Sequence, residues 1–470
     1  MCVKLTAAAA VFLFPTVSAL AEPHTAGTPV LNSSPGAPYT IYLDFGGFNY
    51  NGGWAEHTPG LNAPFDGADP NGTFSAGQID RIKTTWAITA SFYAAFNINV
   101  TTVDPAAAGL TDAQRQTSYL GMPNFMHTIL TVPVPGGWSA AGGSSGIGTT
   151  VGTHNPANDP DTQHTNWILF EPGYNVIDFG NATAHENGHA LGLAHQSDYM
   201  GNTLVNEYGL GDTTAGGPNT GVGSYTAVMG GQNGQQRKTF RAGSSDNFQP
   251  GNFQNDIQKM LSSQTAAMST SLGRTGGVDL RLVDDGHSHT LATAAQLPVN
   301  GDGTVNFSLA SGVIMPNSES NPTPLGAGNY TKDFFKFTLN DPTSISLTAH
   351  DGSQFLTPGV ADPGITLRSV LKIYDINGDV YATATEDGST LFETYSGLLP
   401  SGTYYAGVES YGGHNQVNLL DPTFEPGSYY DMGAYFLTGS GFDPVPEPGT
   451  ACLLAMGMVG FAARRRRRES

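Results

Sequence analysis

Charge is scarce in this 470-residue chain. Only 12% of its residues are Asp, Glu, Lys or Arg, about half the ~25% usual for soluble proteins. The few charges are mostly acidic, with 39 Asp and Glu against 19 Lys and Arg, a formal balance of −20. That sign repels phosphate backbones and excludes nucleic acid as a natural partner. Cysteine is nearly absent, with only Cys2 and Cys452, one near each end. Long hydrophobic runs are also missing, since the apolar stretch Ala451–Ala463 falls short of the ~20 residues a spanning helix needs. Glycine and proline are plentiful at 61 and 30 residues, which excludes a mostly helical bundle because both break helices. With 39% hydrophobic and 10% aromatic residues, the chain still has enough apolar side chains for real cores. Its length suits two or three domains.

Both ends read as addresses. Residues 1–21 have the form of a secretory signal peptide: Lys4, the apolar run Leu5–Phe14, and the small-residue site Ala19-Leu20-Ala21. At the other end, Pro446-Glu447-Pro448 precedes the apolar run, and five arginines, Arg464–Arg468, follow it. This three-part order over residues 445–468 resembles the PEP-CTERM sorting signal of Gram-negative bacteria. The resemblance implies export, transient membrane association through the C-terminal helix, and processing by signal peptidase and an exosortase-type enzyme. Delivery would be to the cell surface or extracellular matrix. Loss of both ends leaves 13 basic and 38 acidic residues, about −25, and no cysteine. Disulfides then cannot staple the exported body, which must hold by core burial with help from any bound metal.

Between the ends, Pro, Ser, Thr and Gly mark residues 22–37 as a spacer. Strand-like Tyr39–Phe45, a helical pattern over Ser75–Phe96, and strands at Ile98–Thr102, His127–Val134 and Trp167–Phe170 follow. A second helix is expected over Asn181–Leu193 and a further one around Phe253–Leu261. This gives a mixed sheet-and-helix unit over residues 38–270. Beyond a composition shift near residues 269–277, short β-rich runs at Thr304–Leu309, Asp333–Leu339, Ile345–Thr348, Leu371–Asp375, Thr403–Glu409 and Gly433–Gly439 predict an all-β sandwich over residues 278–440. The runs Asp333–Leu339, Leu371–Asp375 and Pro400–Val408 resemble the pre-peptidase C-terminal (PPC) domain of secreted bacterial proteases. The fold class is therefore α+β followed by a β-sandwich.

The chemistry concentrates in His185-Glu186-Asn187-Gly188-His189-Ala190-Leu191-Gly192-Leu193-Ala194-His195. On a helix His185 and His189 share one face and can grip one Zn²⁺. Gly192 can take a positive φ, end the helix and turn the chain so that His195 reaches the same ion. Three neutral imidazoles leave a fourth position open, as in catalytic rather than structural zinc sites. The cation would lower the pKa of its water toward ~7, and Glu186 would act as general base. At this chain's composition the full pattern should arise by chance in roughly 3 of 100,000 such chains.

The pattern is similar to that of the metzincins, a clan of zinc endopeptidases with a methionine turn downstream of the histidines. Tyr225-Thr226-Ala227-Val228-Met229-Gly230 fits such a turn, and the resemblance implies that Met229 floors the metal site without ligating. Two departures stand out. Gly231 occupies the place where some members carry an extra tyrosine ligand, and Gln196 follows the third histidine where several families have an acidic residue. The implied activity is hydrolysis of protein or peptide substrates. A second reading makes the sandwich the working part, as a matrix or adhesion module binding surface polymer, with a structural or vestigial zinc site. Intact Glu186 argues against it.

Weaker signals complete the picture. Asp66, Asp69 and Asn71 in a Gly-rich loop offer oxygen ligands for Ca²⁺. Asp375–Asp379 imitates a calcium loop but reads better as a hairpin turn on Asn377-Gly378. His287 and His289 read as a solvated loop. Trp138–Gly148 is equally a cleft-edge strand or a surface loop.

Overall fold

The computed structural model describes residues 24–55, 57–133, 142–148, 150–154, 164–200, 203–209, 226–231, 237–246, 253–315, 331–385, 390–411, 414–416 and 427–444. The segment read as a signal peptide, the apolar run Ala451–Ala463 with the arginines after it, Tyr225 and the first part of the Trp138–Gly148 segment lie outside these residues. So do both cysteines. The fold is mixed α/β with more strand than helix.

The first layer is a five-stranded sheet in the order Ile98–Thr101, Tyr39–Asp44, Phe125–Thr131, Thr165–Leu169, Gly142–Ser144. The first four strands run parallel and the last is antiparallel. Parallel strands covered on both faces read as continuous hydrophobic runs, and all seven residues of Phe125–Thr131 are buried. Alternation divides them: Ile41, Leu43, Met126, Leu130 and Ile168 face two long helices. Tyr42, Phe125, Ile129 and Trp167 face the other way, into an aromatic cluster with Phe48, Trp54 and Tyr119. Each large apolar side chain so buried contributes about 1.5–3 kcal/mol.

The two helices are Ala76–Phe92 and Val176–Ala190. Ser75 caps the first through a reciprocal box with Gln78, an arrangement worth about 1 kcal/mol. The second begins at its cap Asn175, six residues before the expected start, because the Asn175 side chain accepts from Ile177 N. The helices touch where Gly180 meets Ile88, and a Cβ at Gly180 would sit 2.6 Å from the Ile88 side chain. A short helix over Asp112–Leu120, invisible to apolar periodicity, covers the aromatic face. Near the expected C-terminal helix, strand Phe253–Asn255 leads into helix Asp256–Ser263. Among the described residues no helix is long and apolar enough to cross a membrane.

The second layer pair is a β-sandwich. One sheet orders Ala295–Gln296, Lys332–Leu339, Gly402–Ser410, Ser369–Tyr374 and Val380–Ala384; the other orders Ser311–Ile314, Gly433–Ser440, Thr343–Asp351 and Phe392–Leu399. Phe335, Phe337, Leu347, Ile373, Val408 and Leu437 fill the space between them. The run Thr304–Leu309 is turn rather than strand, and the neighbouring strand is Ser311–Ile314.

Residues 24–37, read as a spacer from composition, are tied to the first sheet: Asn32 bridges Thr101, and Ser33 N donates to Val100 O. His287 and His289 differ from the solvated loop expected. His287 bonds Ser311 O, and His289 lies 3.2 Å from the buried carboxylate of Asp333. Asp375 does form the turn, accepting from Asn377 N and Asp379 N.

The closeness of the helices at Gly180 makes a prediction. Gly180→Ala should overpack against Ile88 and cost about 1–3 kcal/mol, read as a lower urea midpoint. An unchanged midpoint would show that this contact has slack.

Candidate metal centre

The motif helix ends in a Schellman turn. Gly192 N donates to His189 O at 2.8 Å and Leu193 N to Gly188 O at 3.0 Å, with Gly192 at φ 101°. A side chain at Gly192 would also meet Ser263 Oγ at 2.7 Å. The reversal brings His195 back against the helix, and the three rings cluster with centroids 4.7–5.2 Å apart.

Each imidazole has its outer nitrogen occupied. His185 Nδ1 faces Val228 O at 2.9 Å, His189 Nδ1 faces Leu193 O at 2.7 Å, and His195 Nδ1 faces Asp246 Oδ2 at 2.7 Å. A second carboxylate oxygen, Glu207 Oε1, lies 3.2 Å from His195 Nδ1. All of these partners are acceptors, so Nδ1 donates outward in each ring and Nε2 is turned inward. His189 Nε2 and His195 Nε2 stand 3.0 Å apart, and one ligand atom from each histidine lies within 4.8 Å of the others. Burial, then neighbouring His189 and His195, holds His185 well below its ordinary range, and burial with His195 takes His189 down to about 4. Three inward-facing Nε2 atoms suit a borderline cation, and their outward hydrogen bonds are the outer contacts that orient such ligands. The residues present therefore fit a metal ion.

Glu186 lies beside this triad, fully buried, its carboxyl pushed up to about 8 by burial. The antiparallel edge strand Gly142–Ser144 runs against it, and a Cβ at Gly143 would come within 2.0 Å of Glu186 Oε1. Met229 is completely buried under the helix, and a Cβ at Gly188 would sit 2.5 Å from its Sδ. Its neighbour Val228 supplies the carbonyl that orients His185.

Sequence reasoning missed Asp246, Glu207 and Tyr208. The Tyr208 ring is half-exposed with its centroid 4.3 Å from that of His195. No spacing in the chain marks these three, because strand pairing brings them in. Gln196, noted for replacing an acidic residue, points away and donates to Asp256 Oδ1; Asp246 supplies the carboxylate at His195 instead. At Asp66, Asp69 and Asn71, read as offering oxygen ligands for Ca²⁺, the structure shows local partners. Asp66 pairs with Arg81 at 3.1 Å and accepts from Gly173 N, and Asp69 Oδ1 accepts from Asn71 N.

Comparison with known proteins bears on the ends of the chain. The PEP-CTERM protein-sorting motif matches residues 444–467. It marks an exported protein sorted to the cell surface through a C-terminal signal, and it implies processing by an exosortase-type enzyme. No curated protein matches the chain in sequence. Among solved structures, the pre-peptidase C-terminal domain of a collagenase from Bacillus anthracis is similar at 13% identity. That likeness covers 31% of this chain and 94% of that one, with a TM-score of 0.18.

Burial of Glu186 gives the metal-free protein a distinctive pH response. A carboxyl raised from 4.5 to about 8 stabilises the fold fully below pH 4.5, and that contribution is lost as pH climbs toward 8. Relative to Glu186→Gln, metal-free wild type should lose roughly 2–4 kcal/mol across this window. Urea unfolding over a pH series measures it, and parallel profiles for the two proteins would contradict it.

Proposed function

We propose that the protein is an exported, cell-surface zinc endopeptidase of the metzincin type. In this reading residues 38–270 form the catalytic unit and residues 278–440 a PPC-like sandwich. The observation that carries the proposal is the triad of inward-facing Nε2 lone pairs with Glu186 buried beside it under an open strand edge.

His185, His189 and His195 would hold Zn²⁺, which supplies Lewis acidity at the reacting carbonyl. Glu186 takes a proton from the attacking water as its oxygen bonds to the carbonyl carbon. The same carboxyl delivers that proton to the departing amine nitrogen as the C–N bond breaks. Among the described residues, Gly142–Ser144 pairs on one side only, with Thr165–Leu169. Its other edge suits an extended peptide adding as a further strand, with the scissile bond carried over Glu186. Glycine at 143 keeps that passage narrow. Met229 packs under the helix and fixes its height beneath the rings.

Replacement of the general base should separate chemistry from binding. Glu186→Ala should cut casein hydrolysis by about 100- to 10,000-fold while zinc content stays near one per chain. Full caseinolysis in that variant, or wild type purified without zinc, would refute the proposal. Gly143→Ala should lower turnover at least tenfold with zinc retained, because the new methyl displaces the Glu186 carboxylate. Unimpaired turnover there would mean the edge strand does not border the reacting groups.

A further inference from the structure

Two of the three imidazoles take their orientation from one short segment. Residues 237–246 lie just after the methionine turn, and the turn hangs on them: Val228 N donates to Thr239 O at 2.9 Å, while Val228 O receives His185 Nδ1. At the far end of the segment, Asp246 grips His195 twice. Its Oδ1 accepts from the His195 backbone N–H at 2.9 Å and its Oδ2 from Nδ1 at 2.7 Å. Between these points runs the strand Arg241–Ser244.

That strand is paired by the segment just before the sandwich strand Gly433–Ser440. Gly427–Tyr429, which leads into the sandwich strand Gly433–Ser440, runs antiparallel to it with Arg241 opposite Tyr429 and Ala242 opposite Ser428. Tyr430 N then donates to Phe240 O at 3.0 Å, and the Thr239 hydroxyl donates to Tyr430 O. Thr239, Phe240 and Tyr430 are all buried. Beside them Lys238 N donates to Ile365 O, and Arg237 forms a fully buried ion pair with Asp351 at 2.9 Å. Tyr430 and Met432 belong to the same apolar core as the motif helix. Water cannot substitute for these main-chain bonds, so the position of segment 237–246 depends on its pairing with the sandwich.

We infer that the C-terminal sandwich is a positioning element of the metal centre. Segment 427–430 fixes the chain that carries the outward partners of His185 and His195. Tyr430 and Thr239 are thus positioning residues, acting through Val228 and Asp246. The inference rests on the three-histidine metal site and not on peptidase activity.

The test uses Co²⁺ as the probe, added to metal-free full-length protein and followed by its visible absorption. Tyr430→Pro removes the N–H that bonds Phe240 O and should weaken Co²⁺ binding about 10- to 100-fold, the range for lost outer-shell partners, with an altered spectrum. Thr239→Val removes only the hydroxyl and should weaken it severalfold, which keeps the test open if the proline variant does not fold. Ile373→Ala, deep in the sandwich core, is the control: it should lower the melting temperature while leaving Co²⁺ affinity and spectrum unchanged. Wild-type affinity and spectrum in a folded Tyr430 or Thr239 variant would overturn the inference alone. Equal loss in the Ile373 control would reduce it to general destabilisation and overturn it too. A wild type that bound no Co²⁺ would overturn the metal site itself.

Discussion

Three imidazoles turned inward on one another by their outer partners form the arrangement the rest of the first unit is built around. Each Nδ1 faces an acceptor outside the triad, which turns the Nε2 atoms toward one another. Much of the first unit serves that arrangement. The Schellman turn at Gly192 returns His195, and Gly188 admits Met229 beneath the helix. Gly180 lets the motif helix lie flush against its neighbour. Glycine abundance, which in the composition suggested loops, is here used to bring backbone and side chains within contact distance.

The described residues contain no cysteine, so their fold holds without disulfides. Its cohesion comes from a parallel sheet buried on both faces, an aromatic cluster on one side and a core on the other that runs on into residues of the sandwich half. The buried pair Arg237–Asp351 adds specificity rather than great strength. Desolvation offsets much of the attraction of such a pair, yet loss of either partner alone costs about 3–5 kcal/mol.

Legibility in the sequence followed range. The helical spacing of His185 and His189, the role of Gly192 and the strands Tyr39–Asp44 and Phe125–Thr131 were readable because their causes lie within a few residues. The start of the motif helix was not, since polar Asn175 rather than an apolar repeat sets it. Helix Asp112–Leu120 was missed because it buries little apolar surface. Asp246, Glu207 and Tyr208 reach His195 through pairings no linear pattern announces. Arg81 and Gly173, which meet Asp66, were not announced by its loop either. The sandwich strands were mostly recognisable one by one, but their extension into the first unit was not.

That extension orders events in time. Pairing Ala242 with Ser428 joins stretches separated by most of the sandwich, and closing so long a loop carries an entropic cost that local contacts do not. The pairing segment lies shortly before the sorting motif that begins at residue 444. Translocation delivers the chain from its N-terminus, so the histidine motif emerges well before the strand that braces it. If the three histidines hold a metal as proposed, that site would be completed only after nearly the whole chain has been delivered.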